Sequence, residues 1–351
     1  MVLKGLRHAR GAVVAAGLAG GAALALAGPA GAQSVEEFYK GKTISLVIGY
    51  SAGGGYDAYA RVVARHMGDH IPGKPTIVPR NMPGAAGRVA SAWVYNVAPK
   101  DGTVLATADQ SLALAQAMGE KLQFDTTKFI YIGNPSAENN TTVTWHTSPV
   151  KTIEDAKKQE IAVGATGGST SSQYPLAMNA VLGTKFKVIM GYPGGNDINL
   201  AMERGEVAGR GSNSWASWKA TRAEWLKENK INILVQIGLR KAPDLPNVPL
   251  LMDLAANPDD RSVLRLLSSP SQIGRPIFTT PGVPDERVKA LRDAFDATVK
   301  DPAFLEEAKK AGLEIDPVSG AELQEVVGEI VATPEAIAKR LAGIIAEGKQ
   351  P

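Results

Sequence analysis

Three glycine-rich segments follow predicted strands and precede predicted helices, and they are the parts of the sequence best suited to binding chemistry. They lie at 53–55, 84–87 and 167–168. The first turn of a helix presents backbone N–H groups that have no partner within the helix, and the helix dipole favours negative charge there. The simplest interpretation is that these glycines only form tight turns. Because three such loops occur at equivalent positions, we consider a cleft that binds a small anion to be an equally good interpretation.

The loops do not have the pattern of a nucleotide site. No glycine loop is followed by the lysine of G-x-x-x-x-G-K-[ST], and no G-x-G-x-x-G follows a strand. A carboxylate suits loops that offer neutral donors, which here are backbone amides and the hydroxyls of Ser51, Ser169, Thr170 and Ser171. The sequence therefore predicts an organic acid as the ligand.

Further candidate ligand contacts come from both halves of the chain. Asp109 ends a predicted strand and either recognises a donor on the ligand or fixes its own loop. Arg210 lies between two glycines and either clamps a second carboxylate or is an ordinary surface arginine. Trp215 and Trp218 either line the cleft or pack in the core. The predicted ligand-binding set is Ser51, Ala52, Gly53, Gly54, Tyr56, Thr107, Ala108, Asp109, Gly167, Gly168, Ser169, Thr170, Asp197 and Arg210.

Catalytic and metal-binding signatures are absent from the sequence. Neither a G-x-S-x-G elbow nor an H-E-x-x-H pair occurs. His66 and His70 are four residues apart, and we interpret them as solvated histidines of a last helical turn rather than as a metal pair. Asp57, at the start of its helix, is interpreted as a structural residue that favours the dipole. We expect no catalytic residue, no metal and no cofactor.

The elements that must position the loops alternate between strand and helix. Strands are predicted at Thr43–Tyr50, Ile161–Ala165 and Ile231–Ile237, and a helix with an apolar face follows from Tyr56 to about His70. Such alternation predicts an α/β fold with mostly parallel, doubly wound sheets, and its repetition predicts two sheets in two domains. The C-terminal part is mainly helical, with capping-box spacing at Ser319-Gly320-Ala321-Glu322.

The N-terminal segment has the layout of a secretory signal. Residues 1–32 combine basic residues, a short apolar run and Ala30-Gly31-Ala32, so we predict a cleaved signal peptide, the alternative being a membrane anchor. The whole chain has 38 Lys+Arg and 35 Asp+Glu; removing three basic residues leaves 35 of each, which gives no electrostatic case for nucleic acid. The chain has no cysteine, which excludes disulfides, thiolate metal sites and a lipid-modified cysteine.

The loops and their neighbouring segments resemble the Bug receptors, the extracytoplasmic binding proteins of tripartite tricarboxylate transporters. The resemblance runs in order through most of the predicted mature chain, although the two prolines that the family has before its first glycines are Ser51-Ala52 here, and Met82 replaces an arginine. The matching segments are Gly53-Gly54-Gly55-Tyr56-Asp57, Asn81–Gly87, Ala98–Leu105, Ala165–Thr170, Tyr192–Gly195 and Glu203–Val207.

The resemblance implies a two-domain periplasmic binding protein of the Venus-flytrap kind, type II-like, and not an enzyme. Domain 1 would comprise 33–134 plus 270–351, with the helical C-terminus on it, and domain 2 would comprise 135–269. A small mono- or dicarboxylate, an aromatic acid included, would be captured in the cleft by a monomer and passed to a membrane permease. Two alternatives stay open: a secreted enzyme on the same scaffold, and a sensor that presents its ligand to a membrane kinase.

Overall fold

The computed structural model describes residues 33–137 and 139–348. Residue contacts group Val35 and the described residues that follow it into one compact unit. The predicted signal peptide, 1–32, lies outside the described residues. Within the described part of the chain, no helix has both the length and the apolar character needed to cross a membrane.

The compact unit that begins at Val35 contains two β-sheets with helices around them. The first elements are α1 (Val35–Tyr39), β1 (Thr43–Ile48), α2 (Gly55–His70), β2 (Thr76–Asn81), α3 (Arg88–Asn96), β3 (Val104–Thr107), α4 (Leu112–Ala117), β4 (Ile130–Asn134), β5 (Asn140–Trp145), α5 (Ile153–Lys158), β6 (Ile161–Ala165), α6 (Thr170–Leu182) and β7 (Phe186–Met190). They continue with α7 (Gly195–Glu203), β8 (Gly209–Ser214), α8 (Trp215–Thr221), α9 (Ala223–Lys227), β9 (Ile231–Ile237), α10 (Pro258–Ser268), β10 (Ile277–Thr279), α11 (Asp285–Thr298), α12 (Pro302–Lys310), β11 (Val318–Ser319), α13 (Gly320–Val331) and α14 (Glu335–Glu347).

The two sheets are built from different parts of the chain. The first has the strand order β11-β4-β10-β3-β1-β2 and the second has the order β7-β6-β8-β5-β9. The strands predicted at Thr43–Tyr50, Ile161–Ala165 and Ile231–Ile237 form β1, β6 and β9. The predicted α/β fold with two sheets is therefore confirmed.

Strand direction corrects one detail of the prediction. Strand β1 is parallel to β2 and β3, and β6 is parallel to β7 and β8, as expected. Strand β5, however, is antiparallel to β8 and β9, β10 is antiparallel to β3 and β4, and the short edge strand β11 is antiparallel to β4. Both β5 and β10 are the first strands formed after the chain passes from one sheet to the other, so neither belongs to a strand–helix–strand repeat that would impose a parallel direction.

The helical C-terminus needs a second correction. As predicted, α11 and α13 pack on β4, and α12 packs on α2. Helix α14 instead lies on α6 and α10, beside the second sheet. Helix α6 is buried through most of its length, with one side on β7 and β8, and α14 covers another side with Ala338, Leu341 and Ile345. Burial of these apolar side chains stabilises α14 in this position, beside the second sheet and not the first.

The structure contains the capping box predicted for α13 and the apolar face predicted for α2. Helix α13 has the predicted capping box, in which Ser319 Oγ accepts a hydrogen bond from the Glu322 amide at 3.3 Å and the Glu322 carboxylate accepts one from the Ser319 amide at 3.1 Å. Helix α2 turns Ala60, Val63 and Met67 into the core, against the first sheet and α11. This packing fixes α2 so that its glycine-rich N-terminus lies at the carboxyl end of β1.

Candidate ligand-binding site

A partly open cavity lies where loops from the two sheets meet. Its volume is about 60 Å³ for the centres of water-sized molecules, whereas one water needs roughly 10–15 Å³. The cavity therefore has room for a few waters or a small organic molecule. Its wall consists of Tyr50, Gly54, Gly55, Tyr56, Asp109, Gln110, Asn140, Thr166, Ser169, Thr170, Ser171, Gly195, Arg210, Ser212, Asn213, Ser214, Ser217, Gly274 and Arg275.

Three helix N-termini border this cavity. Helices α2 and α7 begin at Gly55 and Gly195, and neither has a side-chain cap. Helix α6 begins at Thr170, and Ser169 Oγ caps it by accepting a hydrogen bond from the Ser171 amide at 3.1 Å. The positive ends of three helix dipoles thus converge on one small space, and such an arrangement favours a bound anion.

The loop between β1 and α2 is held by a network centred on Asp57. The buried Asp57 carboxylate accepts hydrogen bonds from the Gly53 amide at 3.0 Å, from Arg61 Nε at 2.9 Å and from Asn81 Nδ2 at 2.9 Å. Burial alone would raise the pKa of Asp57, but these hydrogen bonds outweigh it and the pKa is lowered. Asp57 is therefore a charged residue that fixes the shape of the loop, and it does not line the cavity.

Asp109 is surrounded by donors from the protein itself. Its carboxylate accepts hydrogen bonds from Tyr50 Oη at 2.5 Å and from the Ser111 amide at 2.8 Å. The ring of Tyr50 stacks on Tyr56 with centroids 4.8 Å apart, and Tyr56 Oη accepts from the Gln110 amide at 3.0 Å. Burial, with the nearby Asp109 charge, raises the pKa of both tyrosines, so they remain neutral phenols. This part of the wall is an internally bonded network.

Arg210 is the most unusual charged group of the cavity. Its Nη1 donates to Asn199 Oδ1 at 3.1 Å and to the Gly195 carbonyl at 3.3 Å, and its guanidinium lies 5.4 Å from the ring centroid of Trp218. Among the described residues, no carboxylate forms an ion pair with it, and its Nε has no hydrogen-bond partner. Burial lowers the pKa of Arg210 to about 9, so the guanidinium still carries its charge at neutral pH.

A second arginine, Arg275, reaches the cavity from the segment that returns to the first sheet. It is 4% exposed, and its Nη2 donates to Ser214 Oγ at 2.6 Å and to Ser217 Oγ at 2.7 Å. Its guanidinium lies 4.0 Å from the ring centroid of Tyr59. Sequence analysis missed this residue, because Gly274-Arg275-Pro276 has no periodicity and no motif that would separate it from a surface loop.

Contacts between loops of the two sheets close the cavity. Ser51 Oγ donates to Asp197 Oδ2 at 2.6 Å, and Arg88 Nη1 donates to the Gly168 carbonyl at 2.6 Å. Glycines permit this approach, since a Cβ added to Gly55 would overlap Ser217 Oγ. The glycine at 55 therefore allows close contact between the two sides.

Six of the fourteen predicted ligand-binding residues lie on the cavity wall. They are Gly54, Tyr56, Asp109, Ser169, Thr170 and Arg210. The other eight do not line it: Ser51, Ala52, Gly53, Thr107, Ala108, Gly167, Gly168 and Asp197. Several of these eight have other partners, since Ser51 and Asp197 bond to each other and the Gly168 carbonyl accepts from Arg88.

The glycine loop at 84–87 forms a tight turn and does not line the cavity. Ala85 and Ala86 have φ values of 44° and 57°, in the left-handed region. A Cβ added to Gly87 would lie 2.7 Å from Ala108 Cβ, so glycine is needed here for packing against the end of β3. The simpler interpretation of this loop, a turn without ligand contacts, is the one that its geometry supports.

The wall of the cavity on the second sheet was largely missed. Asn140 of β5 and Ser212, Asn213 and Ser214 of β8 line it. The sequence of β8, Gly-Arg-Gly-Ser-Asn-Ser, lacks the β-branched and aromatic residues by which strands are recognised. Its pairing with β5 on one side and β6 on the other, and not its own composition, makes it a strand.

The two tryptophans and the two histidines have structural partners. Trp218 is completely buried and donates to Thr141 Oγ1 at 3.0 Å, while Trp215 donates to Asp244 Oδ2 at 2.6 Å; neither lines the cavity. His66 and His70 are not solvated as predicted. Because α12 packs on α2, they contact Glu307 and Asp301 at 2.6 and 2.9 Å. Within 33–137 and 139–348, no group of three His, Asp or Glu side chains is arranged to hold a metal.

Solved structures with this architecture include several periplasmic binding proteins. The periplasmic binding protein BugD matches with a TM-score of 0.68 and 20% identity over 88% of this chain and 98% of its own. MatC from Rhodopseudomonas palustris, with bound malate, has a TM-score of 0.68 and 19% identity over 87% and 99%. R. palustris Rpa4515, with adipate, has a TM-score of 0.66 and 20% identity over 86% and 97%. At these identities the structures establish the fold.

Sequence comparison establishes the family. A curated relative from Cupriavidus necator, the UPF0065 protein in the gbd 5′ region, is 28% identical over 331 residues, which cover 91% of this chain and 93% of the relative. The model of the tripartite tricarboxylate transporter family receptor matches residues 59–342. The chain therefore belongs to the TctC family of tripartite tricarboxylate transporter receptors, which are solute-binding proteins.

Proposed function

We propose that this protein is a periplasmic receptor that closes on a small organic carboxylate and delivers it to the membrane permease of a tripartite tricarboxylate-type transporter. The observation that carries the proposal is the convergence of three helix N-termini and a half-buried arginine on one cavity. Two structural relatives, MatC and Rpa4515 of R. palustris, hold malate and adipate. The small volume of the cavity favours a short aliphatic mono- or dicarboxylate over an aromatic acid.

Ligand capture would use two domains, each built on one sheet. The proposed boundaries are 33–134 plus 270–351 for the first domain and 135–269 for the second, except that α14, at the end of the C-terminal segment, packs on α6 and α10 of the second domain. Contacts such as Ser51–Asp197 and Arg88–Gly168 would form when the domains close. The ligand would then be enclosed between loops from both sides, in a protein that acts as a monomer.

An enzyme on this scaffold is the weaker alternative. Catalysis by nucleophilic attack needs a base beside the nucleophile. None of the described wall residues is a histidine, and the Ser169 and Ser171 hydroxyls, 2.6 Å apart, bond to each other. A sensor that presents its ligand to a membrane kinase would bind the same acid, so a partner assay with permease and kinase distinguishes these two roles.

A thermal-shift screen tests the proposed function. The whole chain, expressed in a Gram-negative host and purified from the periplasmic extract, would be screened against mono-, di- and tricarboxylates, amino acids and sugars. We expect a selective rise in melting temperature with a short carboxylate, because binding at one hundred times Kd stabilises the native state by about 2.7 kcal/mol. A shift only with sugars, or with no compound, would contradict the proposal.

The same preparation tests the predicted export. We expect the purified protein to begin at Gln33, because Ala30-Gly31-Ala32 provides the small residues that signal peptidase requires. Intact-mass measurement of the periplasmic protein gives the cleavage position directly. An uncleaved chain found in the membrane fraction would instead support the membrane-anchor alternative.

A further inference from the structure

A second, larger space lies beside the segments that connect the two sheets. It consists of two adjoining pockets of about 320 and 640 Å³, which share Leu239, Gln272, Val326 and Glu329 as lining residues. We call these two pockets the back crevice. The back crevice is several times larger than the ligand cavity, for which the corresponding volume is about 60 Å³.

The connecting segments form a partition between the cavity and the back crevice. In the segment that leads into β5, Asn139 lines the back crevice and the next residue, Asn140, lines the cavity. In the segment that returns to β10, Gln272 lines the back crevice, whereas Gly274 and Arg275 line the cavity. Rotation of the two proposed domains about these segments would therefore change the two spaces in opposite directions. When the cavity opens, the back crevice narrows.

The two walls of the back crevice belong to different sheets and carry apolar side chains. Val326 lies on α13, which packs on β4 of the first sheet, whereas Leu239 follows β9 of the second sheet and Ile337 lies on α14. All three side chains are half-buried. Narrowing would remove more of their apolar surface from water, which is favourable. Charge does not oppose it, because Arg265 on α10 and Glu329 on α13 have opposite signs.

We propose that the back crevice controls closure of the receptor. Its narrowing stabilises the open, ligand-free protein, so a side chain that fills it stabilises the closed protein and raises the affinity for the ligand. Leu239 and Val326 are then positioning residues, which set the affinity without touching the ligand. The inference rests on the proposed two-domain receptor function and adds to it the part of the molecule that balances the open and closed forms.

The proposal predicts a gain in affinity, which damage to the fold would not produce. A ligand that binds only the closed form has an apparent Kd equal to its intrinsic Kd divided by the closed fraction of the ligand-free protein. If filling the back crevice raises that fraction from about one in ten to about one in two, the apparent Kd falls about fivefold.

Distances between two spin labels measure closure in the ligand-free protein. The chain has no cysteine, so Val89→Cys and Met190→Cys provide the only two labelling sites. These residues are 50% and 45% exposed. They lie on opposite sides of the contact between Arg88 and the Gly168 carbonyl, Val89 on α3 and Met190 at the end of β7. Pulsed electron paramagnetic resonance then separates a long distance, from the open form, from a short one.

Two variants fill the back crevice from opposite walls. Val326→Trp acts from α13, and Leu239→Trp acts from the second sheet and serves if the first variant does not fold. We expect each to move the ligand-free protein from the long distance towards the short one. Val97→Trp, at a 66% exposed position outside the back crevice, is the matched control and should keep the wild-type distances. Unchanged or longer distances in both crevice variants would overturn the proposal, as would a ligand-free wild type that shows only the short distance.

Calorimetry with malate and adipate supplies the second measurement. We expect Val326→Trp to bind whichever of these acids binds the wild type about fivefold more tightly, and Val97→Trp to bind it like wild type. Equal or weaker binding by both crevice variants would overturn control by the back crevice and leave the receptor function intact. If no acid binds the wild-type protein, the receptor function fails, whereas the label distances still decide whether the back crevice controls closure.

Discussion

The loop after β1 and the β5–β8 wall face the same cavity but differ in how their polar groups are satisfied. In the loop, Asp57 meets the Gly53 amide, Arg61 and Asn81, so its charge and hydrogen-bonding capacity are used within the protein. In the wall, Arg210 Nε, Asn140 Nδ2 and Asn213 Nδ2 have no hydrogen-bond partner among the described residues. The first arrangement fixes the shape of the loop, whereas the second leaves buried donors unsatisfied, which costs stability.

The largest effect is expected where the satisfied network is broken. Asp57→Ala leaves the loop amide and Arg61 without their acceptor and should reduce the free energy of unfolding by about 3 kcal/mol. Urea denaturation measures this change. Asp69→Ala, at an exposed position on the same helix, is the control and should stay within about 0.5 kcal/mol of wild type. Equal losses in the two variants would show that the Asp57 network does not stabilise the loop.

The same network predicts how stability changes with pH. The pKa of Asp57 is lowered in the folded protein, so its contribution is present above its ordinary pKa of about 3.9 and is lost as the pH falls through the folded value. The difference in unfolding free energy between wild type and Asp57→Ala should therefore shrink on acidification below about pH 4. A difference that is constant from pH 7 to pH 3 would contradict this interpretation.

Closure depends on a glycine at the start of α2. In Gly55→Ala the new methyl group overlaps Ser217 Oγ, so the two sides cannot approach fully and ligand affinity should fall at least tenfold, about 1.4 kcal/mol. Gly328→Ala is the matched control, because a Cβ there meets no atom within 4 Å. Titration of both variants with the best acid from the screen decides the matter. Wild-type affinity in Gly55→Ala would rule out closure at this contact.

Removing the buried charge should have the opposite effect on stability from removing Asp57. Arg210→Met replaces a half-buried guanidinium, which has no ion pair among the described residues, by an apolar side chain, and we expect the ligand-free protein to gain about 1 kcal/mol. Arg61→Met is the contrasting variant, since Arg61 pairs with Asp57 and its loss should destabilise. Urea denaturation of the ligand-free variants measures both changes. A clear loss of stability in Arg210→Met would mean that Arg210 is a structural residue.

The smallest effect is expected at a single contact between the two sides. Ser51→Ala removes the hydrogen bond to Asp197, worth about 1 kcal/mol, and should weaken ligand binding about fivefold. Ser262→Ala, on an exposed face of α10, should bind like wild type. No change in Ser51→Ala would mean that this bond is present in the open protein as well.

These two regions also show what sequence alone can reveal. The loop after β1 was predictable because an apolar strand, three glycines and an amphipathic helix follow one another within a single segment. The wall was not, because β8 has a polar, glycine-rich sequence and becomes a strand only by pairing with β5 and β6, which lie earlier in the chain. Arg210 was a candidate through its charge between glycines, but Asn140, Asn213 and Arg275 reach the cavity only through tertiary packing.

A crystal structure of the protein with the diacid that gives the largest thermal shift tests the central claim most directly. We predict that the acid lies in the cavity between the two sheets, with a carboxylate at the N-termini of α2 and α6. Ligand density elsewhere on the protein, or a bound acid whose carboxylates lie away from these helix N-termini, would contradict it.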